Sequence, residues 1–258
     1  MPVNPLFQRL SLLAGKSAID ALDAARVIVF GLGGVGSWAA EALVRSGIGR
    51  IGIVDSDTVC VTNINRQVQA LPSTVGQPKA AALRKRLLEI NPQCEVTAFE
   101  KVFSKESAPL FEIEKADYVI DAIDSLGFKL DLIEASALAG VRLYSSMGMA
   151  QKLDPTRLKT AGIWETHGCP LARLVRAGLR KRGFTGSFTV VYSDERLPLA
   201  EDGESACGSG RCFCVRDQCG TEIEWCASKK VINGSAVTVT ATAGMVLASL
   251  VLRDIIAP

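Results

Sequence analysis

The sequence predicts an α/β protein of Rossmann-like type. A mostly parallel sheet carries helices on both faces, is extended by C-terminal strands and is closed by an apolar helix. Three observations point there. Short apolar, β-branched runs alternate with helical apolar patterns through the first half of the chain. The first such run leads directly into a glycine-rich stretch at 31–36. The 258 residues suffice for one large α/β domain, and no repeat or low-complexity linker divides them.

The elements follow in order. Residues 26–30 form a strand that ends in glycines, and 37–46 a helix that runs into Gly47 and Gly49. The next strand is 50–54. A helix over 79–90 is stopped by Asn91-Pro92. Strands follow at 95–99 and at 118–120, the second ending in Asp121. A helix over 128–139 stops at Gly140, and 141–144 is a strand. The second half is less regular: a helix at 171–181, a strand at 188–192 and a polar, Cys-rich loop at 200–228. The apolar segment 237–256 is expected to close the core. Its uncharged part, 235–252, is barely long enough to span a membrane and contains Thr238, Thr240, Thr242 and Ser249. It therefore reads as a buried strand plus helix. A single domain is expected over 1–258, with a nucleotide-binding half over about 1–150 and a substrate half over about 151–258.

Composition narrows the function classes. Apolar residues make up 48% and charged residues 22%, ordinary for a soluble globular chain. A net charge of +2 does not announce nucleic-acid binding, so any such surface must be a local patch. The first 14 residues lack a signal-peptide pattern, and eight cysteines then read as reduced thiols of a cytoplasmic protein.

Gly31, Gly33, Gly34 and Gly36 follow a strand and open a helix. Such a turn lets a nucleotide approach the backbone, while the helix start offers unpaired N–H groups to its phosphates. Asp55 ends the next strand, where an acid can accept hydrogen bonds from ribose hydroxyls. The turn alone does not separate NAD from ATP. The residues beyond Asp55 make the distinction. Asp57, Asn63, Arg66, Gln67 and Lys79 come next, and a triphosphate needs cations that a dinucleotide does not. Asp121 and Asp124 end a later strand, and one of them can hold Mg²⁺.

These residues resemble the ubiquitin-activating-enzyme-like adenylyltransferases of the ThiF/MoeB type. The resemblance rests on Gly-Leu-Gly-Gly-Val-Gly-Ser-Trp-Ala-Ala-Glu-Ala-Leu at 31–43, Asp55-Ser56-Asp57, Asn63-Ile64-Asn65-Arg66-Gln67, Gly76-Gln77-Pro78-Lys79 and Asp121-Ala122-Ile123-Asp124. It implies that Gly34 and its neighbours contact the nucleotide and Asp55 the ribose. It assigns Asn63, Arg66 and Lys79 to the phosphates and Asp124 to Mg²⁺. Arg9 resembles an arginine that such homodimers offer to the partner's phosphates, although Leu6 stands where relatives often carry a second arginine. Within the superfamily the chain is most similar to the tRNA threonylcarbamoyladenosine dehydratases. That similarity is carried by Ser146-Met147-Gly148, Lys152-Leu153-Asp154-Pro155-Thr156 and Cys169-Pro170-Leu171-Ala172-Arg173. It implies ATP-dependent adenylation of a tRNA-borne carboxylate followed by dehydrative ring closure. An adenylyltransferase for the C-terminus of a ubiquitin-like sulfur carrier, with sulfur-transfer partners, is the alternative. An NAD-binding module is the third reading, and it leaves Arg9, Arg66 and Lys79 unexplained.

Arg173, Arg176, Arg180, Lys181 and Arg182 cluster in a stretch with no acid between Glu165 and Asp194. The first three share a helical face, with Leu171, Leu174 and Val175 toward the core, and the family resemblance favours tRNA phosphates as their partner. His167, the one histidine, reads as a structural or loop residue. The two CxxC pairs of zinc-binding sulfur-transfer relatives are absent. Cys207, Cys212, Cys214 and Cys219 are a zinc set only if their loop folds around the metal; free thiols are the equal alternative. Cys226 resembles a family cysteine and is the candidate covalent thiol, although ring closure requires no thioester.

Overall fold

The structure is a computed structural model that describes residues 4–197 and 233–257. The central strands form in order β1 (Arg26–Phe30), β2 (Arg50–Val54), β3 (Glu95–Phe99), β4 (Tyr118–Asp121), β5 (Arg142–Ser146), β6 (Leu158–Gly162) and β7 (Thr189–Ser193). They make one sheet in the order β3-β2-β1-β4-β5-β7-β6. All neighbours are parallel except β6, which runs antiparallel to β7 at the edge. The helices are α1 (Gln8–Ala14), α2 (Lys16–Ala24), α3 (Gly36–Arg45), α4 (Lys79–Ile90), α5 (Leu126–Leu138), α6 (Pro170–Lys181) and α7 (Val237–Ile256).

Period-two alternation along the strands splits the core into two layers. Val27, Val29, Ile51 and Ile53 face α2, α3, α4 and α7. Ile28, Phe30, Val119 and Leu143 face α5 and α6. Burial on both faces explains why the strands read as continuous apolar runs. Phe30 meets Phe103 and Phe111 edge-on, which fills the second layer.

Three sequence expectations change. The stretch 235–252 is not a strand plus helix: α7 is one continuous helix of 20 residues. It is long and apolar enough to cross a membrane. Here Val239, Ala243, Leu247 and Val251 are buried in the core. Gly244 lets it lie close on α3: a Cβ there would stand 2.4 Å from the Val35 carbonyl oxygen. Two short N-terminal helices and edge strand β6 were not expected. Its pattern is weak because Lys159 and Thr160 are exposed while only its partner side is paired. Leu174, expected in the core, is 47% exposed on α6.

Candidate active site

Strand order reverses between β1 and β4, the topological switch point where open α/β sheets bind ligands. The turn after β1 and the loop after β4 touch there. Gly31 has φ +86°, and a Cβ on it would lie 2.7 Å from the Ala122 carbonyl oxygen. Gly36 is more constrained, with its would-be Cβ 1.9 Å from the Gly31 carbonyl oxygen. Gly33 differs: a Cβ there meets nothing within 4 Å, so the turn opens to free space at that residue. Gly34 packs closely under Thr240 of α7 and the Arg66 side chain. The geometry explains why glycines recur here: three are forced by backbone or side-chain proximity, and one faces the opening.

Asp55 closes the turn. One carboxylate oxygen accepts from the Leu32 N–H at 2.7 Å and the other from the Asp57 N–H at 2.9 Å. Lys79, the first residue of α4, is buried and donates to Asp57 at 2.7 Å, with Asp55 at 3.9 Å. Burial lifts the Asp55 carboxyl above the usual aspartate range, with the Asp57 charge adding to it and Lys79 and the two N–H bonds opposing it. Burial also works against the charge on Lys79. Asp55 and Asp57 outweigh it and hold the lysine pKa above its ordinary value.

The loop 60–66 is folded by its own side chains. Asn63 accepts from the Cys60 N–H at 3.0 Å. Arg66 donates to the Thr62 carbonyl at 2.8 Å and to Asn65 Oδ1 at 3.0 Å, which aims its guanidinium beside the turn. Burial lowers its pKa, with Cys60 and Asp124 pulling the other way, and an arginine stays charged regardless. Trp38 donates to the Arg66 carbonyl at 2.9 Å. Gln67 is buried and accepts from Gln69, which itself donates to the Leu32 carbonyl at 2.8 Å. Gln67 thus supports the turn through Gln69.

The two acids after β4 separate cleanly. Asp121 is fully buried, ion-paired to fully buried Lys129 at 2.7 Å and bonded to Ser145 Oγ at 2.7 Å. Lys129 also donates to the Ile123 carbonyl at 2.9 Å and so fixes the loop that carries Asp124. Asp124 is exposed. It lies close enough to Arg66 and Lys79 to favour both charges. Among the described residues no three His, Cys, Asp or Glu side chains form a metal cluster. A single carboxylate beside triphosphate oxygens and waters suits Mg²⁺, which rarely takes an all-protein cage.

Arg9 lies on α1, exposed and with no hydrogen-bond or ion-pair partner among the described residues. The basic residues of α6 have different surroundings. Arg173 and Lys181 are exposed, and Arg180 stacks over Trp164 at 5.3 Å. Arg176 is half-buried and bonds Thr166. Arg182 departs from expectation: it pairs with Asp131 at 2.7 Å and Glu134 at 2.8 Å on α5, so it ties α6 down rather than projecting outward. His167 is exposed, beside Tyr192 OH at 3.3 Å and Asp194 at 3.6 Å, consistent with a loop residue. Cys207, Cys212, Cys214, Cys219 and Cys226 lie outside the described residues. Sequence reasoning missed Lys129, Gln69 and Thr240. An apolar helical pattern conceals Lys129, and Thr240 reaches Gly34 from the far end of the chain.

The chain is similar to known proteins over nearly its full length. The ThiF family model matches residues 7–256. A tRNA threonylcarbamoyladenosine dehydratase of Bacillus subtilis is 40% identical over 251 residues, covering 97% of this chain and 94% of the relative. The protein of that name from Escherichia coli is 35% identical over 252 residues, 95% of this chain and 91% of its own. A crystal structure of the Escherichia coli enzyme in complex with ATP has a TM-score of 0.82 at 32% identity, covering 100% of this chain and 98% of that one. A sulfur carrier protein adenylyltransferase of Thermus thermophilus is 36% identical, but over 126 residues that make up 49% of this chain.

Proposed function

The chain belongs to the ThiF family, and from that premise we propose that it is a tRNA threonylcarbamoyladenosine dehydratase. The observation that carries the reading is full-length likeness to dehydratases together with a switch-point turn flanked by Arg66 and Lys79. The sulfur-carrier relative matches only 49% of this chain, so it supports the alternative less fully.

ATP fits the site from its ribose to its phosphates. Asp55 retains lone pairs for ribose hydroxyls after accepting two backbone N–H bonds. The phosphates enter beside Gly33, where the turn is open and the start of α3 favours anions. Asn63, Arg66 and Lys79 form the cationic and amide side of that entrance. Lys79 exchanges part of its contact with Asp57 for phosphate oxygen. Mg²⁺, when bound at Asp124, neutralises phosphate charge. Charge on the leaving pyrophosphate is spread by Arg66 and Lys79, which is where such a site lowers the barrier.

The substrate carboxylate attacks the α-phosphate, and pyrophosphate leaves. A carboxylate oxygen is a poor leaving group and AMP a good one. The neighbouring carbamoyl group then closes on the acyl carbon and expels AMP. One water is lost overall, its oxygen departing in AMP. Because closure is intramolecular, orientation in an enclosed pocket supplies much of the rate.

We assign tRNA phosphates to the exposed cations Arg173, Arg180 and Lys181, with Arg176 behind them. A homodimer accounts for Arg9. Among the described residues it has no partner, and it stands on a helix whose Leu12 and Leu13 are 78% and 85% exposed, an apolar surface suited to a second copy. We propose the cytoplasm as the compartment of the reaction. The reading is tested by incubating the protein with ATP, Mg²⁺ and tRNA bearing threonylcarbamoyladenosine. Stoichiometric AMP and loss of one water from the modified nucleoside are expected. Unaltered nucleoside with no AMP refutes it.

A further inference from the structure

Three lysines are buried at the carboxyl edge of this sheet: Lys79, Lys129 and Lys152, which are 6%, 0% and 4% exposed. Two have a carboxylate at 2.7 Å, Asp57 and Asp121 respectively. Lys152 has none. Its ammonium donates to the backbone carbonyl of Glu195 at 2.6 Å, and among the described residues no carboxylate lies within ion-pair distance. A buried charge is normally paired, so a buried cation with no anion among the described residues is a place that can receive one.

The position of Lys152 says which anion. On the dehydratase reading the nucleotide occupies the loops after β1, β2 and β4. The loop bearing Lys152 follows β5, which neighbours β4 at about 4.8 Å, and its ammonium lies at the Glu195 carbonyl just beyond β7, one strand farther on. Ser145 of β5 bonds Asp121 and so ties this strand to the loop of Asp124. The backbone at 234–235 touches both halves. Ser235 O accepts from Asn65 at 2.9 Å, and Gly234 O accepts from the Gln151 N–H at 2.9 Å. The nucleotide loop and the Lys152 loop thus share one wall. Basic helix α6 starts on this same side, directly after buried Cys169.

The local backbone enforces the placement. Gln151 has φ +56°, a left-handed conformation that costs a non-glycine residue roughly 1 kcal/mol or more and persists where surroundings impose it. Glu195 returns the contact, since its carboxylate accepts from the N–H groups of Leu153 and Asp154 at 3.1 Å each. The Glu195 carboxylate is thereby held by backbone N–H groups and forms no ion pair with Lys152, although its charge still favours the cation. Burial accordingly lowers the lysine pKa, against the pull of Cys169, Glu195 and Asp194.

We propose that Lys152 is the receptor for the substrate carboxylate: its ammonium pairs with the threonyl carboxylate on tRNA and holds it on the β5 side of the α-phosphate. This rests on the dehydratase reading above and extends it to the acceptor. The two fail differently. If the wild-type protein forms no AMP with modified tRNA, the dehydratase reading itself is at fault.

The test compares affinity for tRNA with and without the threonylcarbamoyl group, using wild type, Lys152→Met and Lys152→Arg. Wild type is expected to favour the modified tRNA. Lys152→Met is expected to lose roughly 10- to 100-fold of that preference, the range of a hydrogen bond to a charged group, while affinity for unmodified tRNA and for ATP stays unchanged. Lys152→Arg, which keeps the cation, is expected to retain a preference. A purely structural lysine gives the opposite pattern, with both tRNAs weakened equally. That pattern, an unchanged preference in Lys152→Met, or no preference in wild type, overturns the proposal. Should Lys152→Met fail to fold, loss of preference in a folded, ATP-binding Lys152→Arg overturns it as well.

Discussion

Lys129→Met offers a direct energetic test of how the nucleotide edge is held. The substitution leaves the Asp121 carboxylate fully buried with only Ser145 Oγ at 2.7 Å and the Ile123 N–H at 3.0 Å. Removing one partner of a buried pair typically costs about 3–5 kcal/mol. For a chain of this size each kcal/mol lowers Tm by roughly 2–4 °C, so the expected drop is about 6–20 °C. The double variant Asp121→Asn/Lys129→Met removes both charges and leaves the amide its bonds to Ser145 and Ile123. It is expected to regain most of that loss. The Lys129 bond to the Ile123 carbonyl also fixes the Asp124 loop, so ATP-dependent turnover should fall in both variants although Lys129 touches no nucleotide. Calorimetric Tm and AMP formation measure the two effects. A single variant as stable as wild type, or a double variant no more stable than the single, refutes the reasoning.

Other perturbations separate support from contact. Gly36→Ala forces a Cβ to 1.9 Å from the Gly31 carbonyl oxygen and should distort the turn, lowering both Tm and ATP affinity. Gly33→Ala meets nothing within 4 Å, so it should keep Tm and weaken ATP alone; equal Tm losses at the two positions would contradict the geometry. Neutralising Arg173, Arg180 and Lys181 should weaken tRNA binding and flatten its log–log salt dependence by up to about 2–3, whereas Arg182→Gln should lower Tm and leave that slope intact. Hydrogen bonds and charge from Lys159 and Arg157 hold the Asp194 carboxyl at about 2, below its ordinary 3.8. The stability it contributes is present above pH 3.8 and is lost as pH falls through about 2. Amide exchange in the β6–β7 edge should therefore accelerate over that acid range, and acceleration only above it would be inconsistent with the pairing.

Much of the nucleotide half was legible because its signals are local. The glycine turn, Asp55 and Lys79 each combine a residue type with the end of a strand or the start of a helix, and α4 (Lys79–Ile90) begins and ends where Pro78 and Asn91 dictate. The choice between Asp121 and Asp124 was not local. It depends on Lys129, a buried cation eight residues on in a helix of apolar character. Arg182 reads as a free cation until α5 brings Asp131 and Glu134 beside it. The α7 segment misled for a related reason: threonines suggested a strand, and a 20-residue helix formed because its small residues allow close contact with α3. Burial against a distant element, rather than propensity, decided each of these cases.

This chain is expected to activate a carboxylate carried on tRNA. Pyrophosphate–ATP exchange tests it most directly, run with tRNA bearing threonylcarbamoyladenosine, with the same tRNA unmodified, with a ubiquitin-like sulfur-carrier protein, and with none. Exchange dependent on the modified tRNA is the expected result. Exchange driven by the carrier protein alone, with none for the modified tRNA, would contradict it.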